Sequence, residues 1–371
     1  MAYQTPAGGA TVFTNAPWSD PAFFPLGVWL QDPANAARYR QAGFNTFVGL
    51  WQGPRENQLA ALRLAGLYVV CEQNEVARRH LADANIIAWM QDDEPDDAQS
   101  GLARLGFGSP VAPEEVAAHY RQLKAADPSR PVLLNLGQGV AWDGWYGRGR
   151  RNHHPEDYLE YLKGCDIASF DIYPAVHTTR QVAGKLWYVA DGVDRLMRWS
   201  GTNKVVWNFL ECTRIDNPKH KPTPGQVRAE AWMSIIHGSR GLIFFVHQFK
   251  PEFREAALLD GPEMLAAVTA LNREITSLAS VINSPPLTDM ATVKSQNPAV
   301  PIAFMVRRHD GATYLFAVAM RAGETTVTFK LNGLEGIKPV EVIGENRNLS
   351  ATNGVFTDRF QSWDVHLYRV K

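Results

Sequence analysis

Carboxylates concentrate in one short stretch. Asp92-Asp93-Glu94-Pro95-Asp96-Asp97 carries five acids in six positions, directly after the apolar run Ile86-Ile87-Ala88-Trp89-Met90. A second such acid, Glu211, closes the run Val205-Val206-Trp207-Asn208-Phe209-Leu210. An acid that follows a short apolar strand sits where the strand meets a polar surface. Two carboxyl groups so placed can do paired work. One, kept protonated by its neighbours, donates a proton; the other attacks or steadies a developing positive centre. Asp92, Asp93, Asp96 and Asp97 would raise the pKa of Glu94 by repulsion of like charge. They lack the glycine and spacing of a calcium loop, so no metal is expected. Glu72 ends another apolar run, and a salt bridge or hydroxyl contact suits it better than catalysis.

These acids need elements to hold them. Apolar runs at Phe24–Leu30, Phe44–Trp51, Leu67–Glu72, 86–90, Pro131–Leu136, Asp166–Tyr173, Lys204–Glu211 and Gly241–His247 read as eight strands. Helical stretches alternate with them: Ala34–Ala42, Glu56–Ala65, Pro113–Ala126, Glu156–Gly164, Val182–Ser200, Pro224–His237 and Pro262–Val281. Gly43 and Gly66 stand where helices stop, and Thr223 stands where one starts. Strand, helix and glycine in rotation mean βα units and a parallel sheet. Eight strands with helices between them in about 250 residues predict a (β/α)8 barrel, whose chemistry sits at the carboxyl ends of its strands. After Pro285-Pro286 the texture changes to short alternating runs separated by Asp310-Gly311, Ala322-Gly323 and Asn332-Gly333. That predicts a small antiparallel β-sandwich. The expected division is therefore 1–285, barrel with an N-terminal extension, and 286–371, β-domain.

Composition narrows the partners. Lys+Arg 37 against Asp+Glu 38 gives a net charge of -1, so no basic field invites nucleic acid. No run of about 18 uncharged apolar residues predicts a membrane span. Cys71, Cys165 and Cys212 show neither metal nor disulfide spacing and are expected as buried thiols. Met1–Trp18 lacks the regions of a signal peptide. A cytoplasmic protein is expected, or a secreted or periplasmic one if Met1 replaces a removed signal. Oligomeric state is not written in these features.

Aromatic content is high, with 11 Trp, 11 Tyr and 17 Phe. Trp29 and Trp51 end the first two strands, and Trp142 lies in the long loop Gly137–Pro155 that follows strand five. Each can stack on the face of a sugar or pack on the barrel top. Asn135, at the end of strand five, can bond a hydroxyl.

The pair Asp93-Glu94-Pro95 ending strand four and Glu211 ending strand seven resembles the retaining (β/α)8 glycoside hydrolases of clan A, the cellulase, mannanase and β-galactosidase-like families. The resemblance implies a retaining β-glycosidase that acts on an oligo- or polysaccharide without a cofactor. It implies that Glu94 is the acid/base and Glu211 the nucleophile, facing it across the mouth. Asp93 stands where the clan usually has Asn. Tyr173, in Asp171-Ile172-Tyr173-Pro174, matches a Tyr that bonds the nucleophile. His247 stands where strand eight often ends in Trp. The carbohydrate would then meet Trp29, Trp51, Asp93, Asn135, Trp142, Tyr173 and His247. The departures at Asp93 and strand eight leave one alternative, a carbohydrate-binding barrel that has lost catalysis.

Overall fold

The structure is a computed structural model that describes residues 3–4, 13, 17–99, 108–201 and 203–371. Eight parallel strand positions form the barrel: β1 Leu26–Trp29, β2 Thr46–Val48, β3 Tyr68–Cys71, β4 Ile86–Met90, β5 Val132–Leu136, β6 Ile167–Phe170, β7 in two pieces, Val205–Val206 and Asn208–Glu211, and β8 Leu242–Phe245. Neighbours in sequence are neighbours in the sheet, and β8 pairs with β1. Strand β7 closes the ring in an unusual way. Its first piece bonds to β6 and its second to β8, with the break at Trp207. Trp207 is fully buried and packs in the barrel interior with Phe209, Val48, Ile87 and Leu133. The bulk of its indole at this point accompanies the switch of partners.

The strands are buried on both faces, which is why they read as continuous apolar runs rather than alternating ones. Inward-facing side chains fill the barrel, and Trp18 plugs the lower end against Trp207 while donating to Ile87 O. Outward-facing side chains pack on the helices: α1 Ala36–Gln41, α2 Glu56–Leu64, α3 Glu75–Arg79, α4 Pro113–Ala126, α5 Tyr158–Tyr161, α6 Tyr188–Ser200, α7 Pro224–His237 and α8 Pro262–Ser277. Gly43, beyond α1, has φ +83, and a Cβ there would lie 2.9 Å from Asn272 Cβ on α8. Both facts require glycine. In α7, Thr223 accepts from the Gln226 amide while the Gln226 side chain returns to the Thr223 amide, a capping box with Pro224 in the first turn.

The C-terminal strands are β9 Ala291–Ser295, β10 Ile302–His309, β11 Ala312–Ala319, β12 Thr325–Leu331, β13 Ile337–Val342, β14 Arg347–Thr352, β15 Val355–Phe360 and β16 Val365–Val370. They form one antiparallel sheet in the order β10-β11-β16-β13-β14-β15-β12-β9, with Tyr3–Gln4 added in parallel on β10. The N-terminal extension therefore touches the β-domain as well as the barrel. Strand β10 alternates: Ile302, Phe304 and Val306 face the β-domain's own core, while Ala303 and Met305 join the core shared with the barrel. Helix α7 lies between the two domains. Every residue from Ala229 to His237 is buried, and Trp232 packs on Phe316 of β11.

Candidate active site

The five acids are not equivalent. Strand β4 ends at Met90, and the chain turns sharply through Glu94, whose φ is +44. A left-handed glutamate costs about 1–3 kcal/mol and persists only where its surroundings impose it. Here the Glu94 amide donates to Asn135 O and its carbonyl accepts from the Asp97 amide, so both sides of the turn are tied. Asp96 is fully buried and accepts from the Gly137 amide and the Tyr158 hydroxyl. Asp97 accepts from Trp145 Nε1. These two acids hold the loop after β5 against the acid stretch. Arg148, 2 % exposed, completes the anchor through Asp157, Arg151 O and His154 O. Asp96 and Asp97, expected as tuning charges, thus also have a structural part.

Glu94 and Asp93 are left at the mouth. Asp93 is exposed and accepts from Asn135 Nδ2, and Asn135 Oδ1 in turn accepts from Ser169. Glu94 is half-buried and lies in hydrogen-bond contact with Asp171, which follows β6. Two carboxyl groups in contact cannot both ionise without strong repulsion, so they share a proton. The charge of Asp171, burial, and the further charges of Asp93 and Asp97 push Glu94 well above the usual carboxylate range. Burial also raises Asp171, to about 6, against the opposing pull of Glu94 and Tyr173. Tyr173 lies beside Asp171, against Phe245. Its hydroxyl is buried and makes no aligned hydrogen bond. The partner expected for Tyr173 was Glu211; the structure gives it Asp171 instead.

Glu211 is fully buried. Alternation along β7 sets it on the side of Trp207 and Phe209, as the sequence indicates. The segment after β6 covers it, and its two oxygens accept from the Ala175 amide at 2.5 Å and the Val176 amide at 2.8 Å. Its other contact is Glu230 of α7, and no group at the mouth contributes to its shift. Burial pushes it up to about 7 against the pull of the two amides. Glu211 does not face Glu94 across an open mouth in this structure.

The remaining expected residues divide by exposure. Trp51 is 64 % exposed on the loop after β2. Trp142 is half-buried with its edge to His177, which bonds Gln138. Trp29 is 6 % exposed and packs on Phe209, and His247 is 6 % exposed beside Gln31. Both offer little surface, and packing within the barrel accounts for their burial. Burial lowers His247 to about 4, so it is neutral. Glu72 lines a separate pocket of ≈ 430 Å³ with Asp92, Glu115 and His119, beside α4. The three cysteines are buried free thiols. Among the described residues, no group of three or more His, Cys, Asp and Glu could hold a metal ion, and no helix is long and apolar enough to cross a membrane.

Asp171 and Glu230 were not singled out from the sequence as site residues. Asp171 had a signal, since it lies two residues before Tyr173 on the same side. Glu230 had a weaker one, a lone acid within the apolar stretch of α7.

A (β/α)8 barrel carrying a C-terminal antiparallel β-domain is an architecture shared with solved glycosidases. The α-amylase from Geobacillus thermoleovorans, solved with acarbose, superposes with a TM-score of 0.57 at 10 % identity, covering 91 % of each chain. A maltogenic α-amylase from Thermotoga neapolitana gives 0.56 at 8 % identity, over 95 % of this chain and 99 % of that one. An endoxylanase from Clostridium papyrosolvens gives 0.51 at 12 % identity, over 94 % and 96 %. At such identities the likeness is one of fold. No protein-family model matches the chain, and no curated protein sequence matches it.

Proposed function

We propose that this protein is a glycoside hydrolase that cleaves a β-linked oligo- or polysaccharide with retention, Glu94 serving as acid/base and Glu211 as nucleophile. The observation that carries the reading is Glu94 itself: a carboxyl group beyond the end of β4, at the mouth, beside Asp171, whose charge pushes it well above the ordinary carboxylate range. A general acid for glycosidic oxygen needs such a raised pKa at neutral pH. The shared fold of amylases and a xylanase supports carbohydrate as the substrate class. Trp51 and Trp142 offer aromatic faces, and Asp93, held by the buried Asn135, offers a polar contact beside the acid. Glu211 has the right position in the chain, and two backbone amides favour its ionised form. A sugar reaches it only if the segment Pro174–Val176 shifts.

The full burial of Glu211 favours one other reading, a barrel that binds carbohydrate without cleaving it. A screen of aryl β-glycosides and polysaccharides, with analysis of the anomeric product, separates the two. Hydrolysis with retention, abolished in both Glu94→Gln and Glu211→Gln, supports the enzyme. Saturable sugar binding with no product on any glycan supports the binding barrel. Near wild-type turnover in either variant removes that residue from the mechanism.

A further inference from the structure

Behind β7 two acids meet in the dry interior. Glu230 lies on α7, which packs against the Asn208–Glu211 piece, and both Glu230 and Glu211 are 0 % exposed. The two carboxyl groups are in hydrogen-bond contact. Neither Glu230 oxygen has any donor in reach. Glu211, by contrast, has two amide donors. A pair of buried anions without a cation between them is not sustainable, because desolvation alone costs several kcal/mol per ion. One proton must therefore lie in the contact. It belongs on Glu230, since Glu211 already has partners that favour its charge.

The other charged groups around α7 do not supply a counter-charge. Arg228, on the same helix, bonds Glu274 of α8 and Val365 O of β16. His237, at its end, bonds Asp194 of α6. Arg240 beyond α7 donates to Ile282 O, and Arg307 of β10 lies near Arg240 rather than Glu230. Cys212 is the remaining ionisable neighbour, and burial keeps its thiol protonated.

We infer that Glu230 is a positioning residue: it stays a neutral carboxylic acid and donates its proton to Glu211, orienting that carboxylate and holding it ionised from behind. The role rests on Glu211 as nucleophile; the contact itself does not. Burial and the charge of Glu211 both push Glu230 well above the ordinary range, in keeping with this arrangement.

The test reads the proton and the turnover separately. In protein labelled at the glutamate carboxyl carbons, a resonance that stays protonated above the ordinary carboxylate range, distinct from that of Glu94, should vanish in Glu230→Gln. Glu230→Gln keeps a donor and should retain kcat within about threefold. Glu230→Met removes it and should lower kcat roughly tenfold or more, as for loss of a hydrogen bond to a charged group, with KM little changed. In that variant the pKa of Glu211 should rise. A fall would mean Glu230 is an anion that repels Glu211, and would overturn the inference. So would the absence of any protonated resonance that Glu230→Gln removes. If Glu230→Met does not fold, the resonance and Glu230→Gln still decide. If Glu211→Gln retains turnover while the resonance behaves as expected, the nucleophile reading fails and the shared proton stands.

Discussion

The molecule holds two pairs of touching carboxyl groups, and they differ in what surrounds them. Glu94 and Asp171 meet at the mouth, half-buried, with Asp93 exposed beside them. Glu211 and Glu230 meet behind the β6 loop with no exposed surface. Both pairs must share a proton. At the mouth, solvent can exchange that proton and a ligand can take it, so the pair can work as an acid. In the interior the proton is fixed, and the pair can only orient and hold charge. The same two chemical groups thus do different work according to their access to water.

The comparison can be broken at several points. The largest effect is expected at the mouth: Glu94→Gln should lower kcat by about 10²–10⁴ while circular dichroism shows an unchanged fold. An unchanged rate would show that the open pair does no acid chemistry. Next is the anchor that shapes the mouth. Arg148→Met leaves the buried Asp96 without its cation while Asp157 keeps Arg151, and denaturant unfolding should show about 3–5 kcal/mol lost, as for one partner removed from a buried ion pair.

Asp171→Asn should act through pH. It removes the charge that most raises Glu94, so Glu94 loses its proton at lower pH and the alkaline limb of the kcat profile moves down. An upward shift would mean that Asp171 does not set the acid. Stability should follow both pairs. Asp171 and Glu211 are raised to about 6 and about 7 from 3.8 and 4.5, so folding binds their protons more tightly. Their contribution is full below the ordinary carboxylate range and is lost as pH rises through about 6 to 7. The melting temperature should fall over that window, and less steeply in Glu230→Gln. The smallest effect is expected at the rim: Trp51→Ala should leave stability within about 0.5 kcal/mol and raise KM only modestly.

The barrel was legible in the sequence because its strands are apolar on both sides and its helices are punctuated. Helix α4 begins at Pro113 and α7 at Pro224, as read, since proline and a capping threonine fix those starts. Helix α3 was missed because five residues are too few to show a period. Strands β14 and β15 are hard to read from sequence because polar side chains dominate their exposed faces. Glu94 was legible as the acid that ends a strand. The cover over Glu211 was not, because it depends on where the Pro174–Val176 backbone crosses a strand thirty residues further on. Its partner Glu230 comes from yet another element, and no local pattern joins the three.

Helix α7 has one more implication. From Ala229 to His237 it is buried, with the barrel on one side and Phe316, Tyr314 and Leu367 of the β-domain in the same core. A helix of that kind belongs to neither neighbour alone. The shared core couples the two architectures, so the β-domain is expected to unfold together with the barrel. A chain cut at Pro286 would leave Trp232 and its neighbours facing water and would aggregate rather than persist as a free barrel.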